Sequence, residues 1–252
     1  MSRTLSRAAS FIIFLVLFHT VLYSNGFTSE EILGQFYEEQ NIPEDFSDMV
    51  FESLITSEKE GKRQTSHSQV FMRNPSEKLV FFKDSGGRKS AVLIRENSGW
   101  IYSEGLRTTL KIKLNFNLSN DLNISDLIGI NLLSDYRTGD LSLSADEGYR
   151  FLLTASSDEL AYRHIDIFAH EESGEIYKMV YMDINMNPLK QADISYIDLD
   201  GRKMPEFRIS NLVFGGGGET VLSYSAVYER KLPSSYYFPN VNSMTQFLRA
   251  MR

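Results

Sequence analysis

The chain has 252 residues, a formal net charge of −7, no cysteine, and 17 Phe and 13 Tyr beside a single Trp. An acidic balance without a basic stripe of interleaved aromatics argues against nucleic-acid binding, and the absence of cysteine excludes thiol catalysis, zinc–thiolate sites and a disulfide scaffold. So many aromatic residues suit pleated, half-buried surfaces, so a mainly β chain with a few helices is expected.

The first segment reads as an address. Met1–Ser10 carries Arg3 and Arg7 and no acid, Phe11–Leu22 is almost wholly apolar, and Ser24-Asn25-Gly26 supplies small, turn-forming residues. This is the layout of a secretory signal. Its apolar run of about 12 residues falls short of the roughly 20 that span a bilayer. Residues 1–26 are therefore expected to be a signal peptide that is removed, with retention as an anchor the alternative. No cysteine follows the run, which excludes an acyl chain on an N-terminal cysteine. Residues 27–252 are expected to form one domain.

Thr28-Ser-Glu-Glu31 has the form of a capping box. It opens a helix in which Ile32, Leu33, Phe36 and Tyr37 share a face, and Pro43 ends it. Strands are predicted at Asp48–Thr56, Gln69–Arg73, Lys78–Lys83, Ser90–Arg95 and Gly99–Ser103. Charged or Asn-Pro turns separate them, as in an antiparallel meander. Ser119–Tyr136 reads as one helix, capped by Ser119 or Asp121. It runs through Leu122, Ile124, Leu127, Ile128, Ile130, Leu132 and Leu133, and so much apolar surface implies packing on more than one side. Strands resume at Tyr149–Ala155, Arg163–Ala169, Glu175–Asp183, Lys190–Asp198, Pro205–Phe214 and Thr220–Tyr228. Asn242 is followed by Met244, Phe247, Leu248 and Met251 at helical spacing, a short amphipathic helix.

No motif marks out catalysis. Gly215–Gly218 lacks the Lys-Ser/Thr of a phosphate loop and joins two strands, so it reads as a hairpin loop. Asp198–Gly201 and Asp121–Asp126 lack the ligand spacing of a calcium loop and read as turn and helix-cap chemistry. His164 and His170 lie on one strand face roughly 20 Å apart, too far to share a metal, and His67 stands alone. Asp166 beside His164 suggests a base and its orienter, but no serine elbow accompanies them. Asn117-Leu-Ser and Asn123-Ile-Ser match the glycosylation triplet and are taken as unmodified. No catalytic residue, metal or cofactor is therefore expected, and a secreted hydrolase with an unmarked carboxylate or His–Asp site stays as a lesser alternative. Leu79–Phe82 and Ala91–Ile94 are apolar on both strand faces. Either protein covers both faces, or one face lines a ligand cavity.

The order of parts resembles a known family. The Ser29–Leu33 helix is followed by hairpins leading to Gly99-Trp-Ile-Tyr102, then Leu106-Arg107, a Ser125–Leu127 helix, and Tyr196-Ile-Asp-Leu-Asp-Gly201. Together these resemble the LolA-like outer-membrane lipoprotein-sorting proteins, from Phe27 to about Phe238. The arginine run common in that branch is reduced here to Arg107, Lys111 and Lys113, and Met204-Pro205 interrupts the strand after the Asp-Gly turn. The resemblance implies a half-open antiparallel β-barrel, of LolA/LppX-like α+β type, with helices covering a hydrophobic cavity. It also implies a non-enzymatic periplasmic carrier of lipoprotein or lipid acyl chains. Its partners would include an inner-membrane lipoprotein-releasing transporter and an outer-membrane acceptor. Strand alternation then suggests a lining of Phe51, Phe71, Phe81, Trp100, Tyr102, Phe151, Leu153, Ile165 and Ile167, with Leu127, Ile130 and Leu133 from the lid helix. A one-residue register error would flip a whole strand. The competing reading is a β-rich envelope scaffold or binding protein without a lipid cavity.

Overall fold

Alternating apolar residues, punctuated by turn chemistry, build one antiparallel sheet of fourteen strands in a computed structural model that describes residues 26–39, 48–74, 77–83, 87–95, 98–113, 122–128, 130–144, 146–213 and 218–251. The signal segment up to Asn25, the first three glycines of the Gly215–Gly218 run, and Asn117, Ser119 and Asp121 lie outside the described residues.

The first strands are β1 (Met49–Lys59), β2 (Lys62–Asn74), β3 (Glu77–Lys83), β4 (Lys89–Arg95), β5 (Ser98–Ser103) and β6 (Leu110–Ile112). Two short strands, β7 (Tyr136–Thr138) and β8 (Ser142–Ser144), and the longer β9 (Gly148–Ala155) on which both pair, follow. The last are β10 (His164–Ala169), β11 (Ile176–Met182), β12 (Pro188–Leu199), β13 (Arg202–Asn211) and β14 (Glu219–Glu229). The strand order is β6-β5-β4-β3-β2-β1-β14-β13-β12-β11-β10-β9-β7, with β8 also on β9. Two meanders thus meet where β1 pairs with β14, and the sheet stays open between its β6 and β7 edges.

Two hairpins show how the sequence sets register. Glu60-Gly61, at φ 52° and 74°, turns β1 into β2, and Asp200-Gly201, at φ 54° and 76°, turns β12 into β13. Two consecutive residues at positive φ match the right-handed twist of the flanking strands. The charged stretch Ser57–Arg63 is accordingly mostly strand, and only its middle pair forms the turn.

The helices are α1 (Ser29–Glu38), α2 (Ile124–Ile128), α3 (Leu132–Asp135) and α4 (Val241–Ala250). The predicted capping box opens α1, with both reciprocal bonds between Thr28 and Glu31 formed. The single helix expected over Ser119–Tyr136 is divided. Asn123 caps α2, accepting from the Asp126 amide at 3.0 Å. Asn131 is extended and accepts from the amides of Leu133 and Ser134. A second N-cap within the apolar run restarts the helix in a new phase. Tyr136 then begins β7 instead of ending a helix. The C-terminal helix is capped by Asn240, whose side chain accepts from the Ser243 amide at 2.9 Å.

Two apolar cores result, one on each face of the sheet. The inner core joins Ile32, Leu33 and Phe36 of α1 and Ile124, Leu127 and Leu132 of the lid segment to strand residues from both meanders. The outer core joins Val50, Phe71, Leu79, Phe81, Leu93 and Tyr102 to Met244, Phe247 and Leu248 of α4. Elsewhere the outer face is polar: on β9–β11, Arg150 and Lys178 lie over the Phe168 ring at 5.1 and 3.7 Å and cover it. The end of α1 is seated on β13, where the Lys203 amide donates to the Glu39 carbonyl at 3.0 Å. No helix among the described residues is long and apolar enough to cross a membrane.

Candidate functional site

Beneath α2 and α3 the inner face is incompletely filled. A cavity of about 90 Å³ remains there. Phe36 and Tyr37 of α1 and Ile130 and Leu132 of the lid segment line one side. Met179 and Tyr181 of β11, Phe207 and Ile209 of β13, and Tyr224 of β14 line the other. Apolar surface dominates, with Ser125 and Asp126 at the margin.

The lid is held at a few polar points. Tyr37 donates its hydroxyl to the Ile130 carbonyl at 2.9 Å and accepts from the Leu132 amide at 2.8 Å. One phenol of α1 thereby ties down the link between α2 and α3. At the start of α2, Asp126 is buried and forms an ion pair with Lys190 of β12 at 2.7 Å. The Asp126 carboxylate also accepts from the Tyr162 hydroxyl at 2.6 Å and from the Asn123 amide at 2.8 Å. Asn123 Nδ2 donates to the Tyr162 hydroxyl at 2.9 Å. A buried pair is tolerated only when its remaining donors and acceptors are satisfied, as they are around this carboxylate.

Burial keeps the surrounding phenols neutral. Desolvation raises Tyr37, Tyr162 and Tyr181 far above the ordinary tyrosine value, with the Asp126 charge adding to the effect at Tyr162 and Tyr181. Tyr224 is pushed up to about 12 by burial. These phenols supply no anionic base at neutral pH, and those of Tyr37, Tyr162 and Tyr181 donate hydrogen bonds. No group of three His, Asp or Glu side chains among the described residues is placed to hold a metal. The His164–Asp166 pairing considered from sequence does not form. Asp166 is engaged by Arg150 through contacts of 2.7–3.1 Å, while His164 Nδ1 lies 3.3 Å from Thr154 Oγ1.

The structure divides the lining set inferred from alternation. Phe51, Phe151, Leu153, Ile165, Ile167 and Leu127 lie in the inner core, with Ile130 packed against it. Phe71, Phe81 and Tyr102 lie in the outer core beneath α4, and Trp100 packs against that same core. They are a register correction: on β2–β5 the inner positions belong to Val70, Met72, Val80, Val92, Ile94 and Ile101. Leu133 is 48 % exposed, because the restart at Asn131 turns Leu132 inward and Leu133 out. Sequence reasoning missed the lid's polar fastening. Tyr37 was assigned only to an apolar helix face, and Asp126 and Lys190 are 64 residues apart.

No protein-family model matches the chain, and no curated protein matches it significantly. Solved structures do. The chain is similar to a LolA superfamily protein, NE2245, from Nitrosomonas europaea, at TM-score 0.71 and 18 % identity over 84 % of this chain and 98 % of that one. It is also similar to a DUF1329 family protein from Desulfovibrio piger, at TM-score 0.63 and 14 % identity, covering 85 % and 98 % of the two chains. A third is a putative outer membrane lipoprotein-sorting protein domain from Vibrio parahaemolyticus, at TM-score 0.60 and 11 % identity, covering 81 % and 95 %. The open antiparallel barrel with its few helices is thus the LolA-like fold, shared at identities that speak for architecture alone.

Proposed function

We propose that the protein is a non-catalytic periplasmic carrier that shelters acyl chains of lipoproteins or lipids against the inner face and delivers them toward the outer membrane. One observation carries the reading most. Beside α1, the described part of the cover over the apolar inner face is two helical turns, α2 and α3, fastened at a few polar points. A single 16-carbon chain hides on the order of 12 kcal/mol of unfavourable hydration, so transit through water requires a sheltering surface. The cavity of about 90 Å³ is smaller than the 150 Å³ that admits benzene in an engineered core, so an acyl chain enters only when the lid moves. The signal-like first 26 residues support export, and an inner-membrane releasing transporter and an outer-membrane acceptor are the partners such a route requires.

The test is native mass spectrometry of residues 27–252, purified from envelope without detergent, followed by organic extraction. Lipid or acylated polypeptide at about one per chain is expected. Ile130→Glu, which puts a charge on the cavity wall at a partly exposed position, is expected to abolish that occupancy while the melting temperature holds. An envelope scaffold without a lipid cavity is the competing reading, and the small size of the cavity favours it. A clean apo mass with no uptake of offered lipid would establish that reading instead.

A further inference from the structure

Two lysines reach beneath the lid, and among the described residues only one finds a carboxylate. Lys190 is paired with Asp126. Lys78 is not paired, although β3 projects it onto the same inner face as Val80. Its register partners are Met72 on β2 and Ile94 on β4, both in the inner core. Its Nζ ends on the lid, donating to the carbonyl of Ile128 at 3.4 Å. That is a long bond, and an ammonium has three donors to place. Burial pulls this ammonium down to about 8, against a smaller opposing effect of Asp135. A part-buried cation whose described partner is one distant carbonyl is costly unless an anion joins it. Ile128 lies two residues before Ile130, which lines the cavity, so the cation meets the same lid segment that supplies one cavity wall.

We propose that Lys78 is the counter-charge for an anionic group, a carboxylate or phosphate, carried at the end of the bound acyl chain. This rests on the carrier reading and narrows it: the cargo is an anionic amphiphile, held by its tail against the inner face and by its head at Lys78. The geometry supplies an apolar wall on the lid segment and, against the same segment, a positive charge that meets no carboxylate among the described residues.

The test compares cis-parinaric acid with its methyl ester, two fluorescent probes of one chain length that differ in charge. Both are titrated into delipidated residues 27–252 of the wild type, Lys78→Met and Lys78→Arg. The wild type is expected to bind the acid about ten- to a hundredfold more tightly than the ester, the worth of a charge-assisted hydrogen bond. Lys78→Arg should keep that preference, and Lys78→Met should lose it by weakening the acid alone. Equal affinity for acid and ester in the wild type, or a preference surviving in Lys78→Met, overturns the proposal while leaving the carrier reading standing. Binding of neither probe removes the carrier reading and this proposal together. Inorganic phosphate or acetate at millimolar concentration is expected not to displace the acid. Displacement would show that the site takes free anions in place of a lipid's own head, and would overturn the assignment to cargo.

Discussion

Each face of the sheet carries an apolar core, yet the two are covered in different ways. The outer face of β1–β5 is sealed by α4, ten residues long and well capped. Phe247 meets Phe71 edge-on at 5.5 Å, Thr245 donates to the Tyr102 hydroxyl at 3.0 Å, and Lys89 donates to the Met251 carbonyl at 2.6 Å. The inner face is covered by α1 and, beside it, by α2 and α3, helices of five and four residues that are too short to hold themselves in water. They are held by Ile124, Leu127 and Leu132 in the inner core, a buried ion pair and two tyrosines, with a cavity left between the apolar walls. One cover is built to stay, whereas the other is fastened at points that can be released singly.

Breaking the permanent cover should cost the most. Phe247→Ala is expected to lower global stability by about 4 kcal/mol, from the lost ring and the cavity left behind. Urea denaturation would read this, and cargo binding per folded molecule should not change. Asp126→Asn comes next, at about 3 kcal/mol, because it strands the Lys190 ammonium in a buried site. Hydrogen exchange is expected to quicken across residues 122–135 far more than in α4. Equal quickening in both would mean that the two covers are not independent.

Lys78→Met should have a smaller effect of opposite sign. The folded ammonium titrates near 8, below its ordinary value, chiefly through burial. The unfolded chain therefore holds more protons between about pH 8 and 10.4, and stability rises with pH across that window. Below pH 8 the cost is fully present, so Lys78→Met is expected to stabilise the cargo-free protein by roughly 2 kcal/mol at pH 7. The gain should shrink toward pH 10, as melting temperatures across that range would show. A residue that weakens the empty protein while serving a ligand fits the usual opposition of stability and function. Tyr37→Phe should have the smallest effect, about 1 kcal/mol, from the lost Ile130 and Leu132 bonds. Its signature would be faster lid exchange with the sheet unaffected.

How far the sequence could be read depended on whether a strand has one apolar face or two. On β9 and β10, Phe151, Leu153, Ile165 and Ile167 alternate with Arg150, Thr154, His164 and Asp166, and reading that alternation placed all four apolar residues on the inner face. On β2–β5 both faces are apolar, so the choice between Phe71 and Val70, or between Phe81 and Val80, had no local signal. Alternation by itself fits either phase there, and Phe71 and Phe81 in fact fill the space under α4.

The local physics of the chain determined the secondary elements, the Thr28–Glu31 cap, the Asp200-Gly201 turn and the antiparallel meander, because these depend on residues a few positions apart. Tertiary structure decided which face of β2–β5 looks inward, how the lid segment divides, that Asp126 meets Lys190, and that Lys78 meets no carboxylate among the described residues. Those outcomes rest on contacts between distant segments, where burial and charge act on whatever the folded sheet brings together, and no period in the sequence records them.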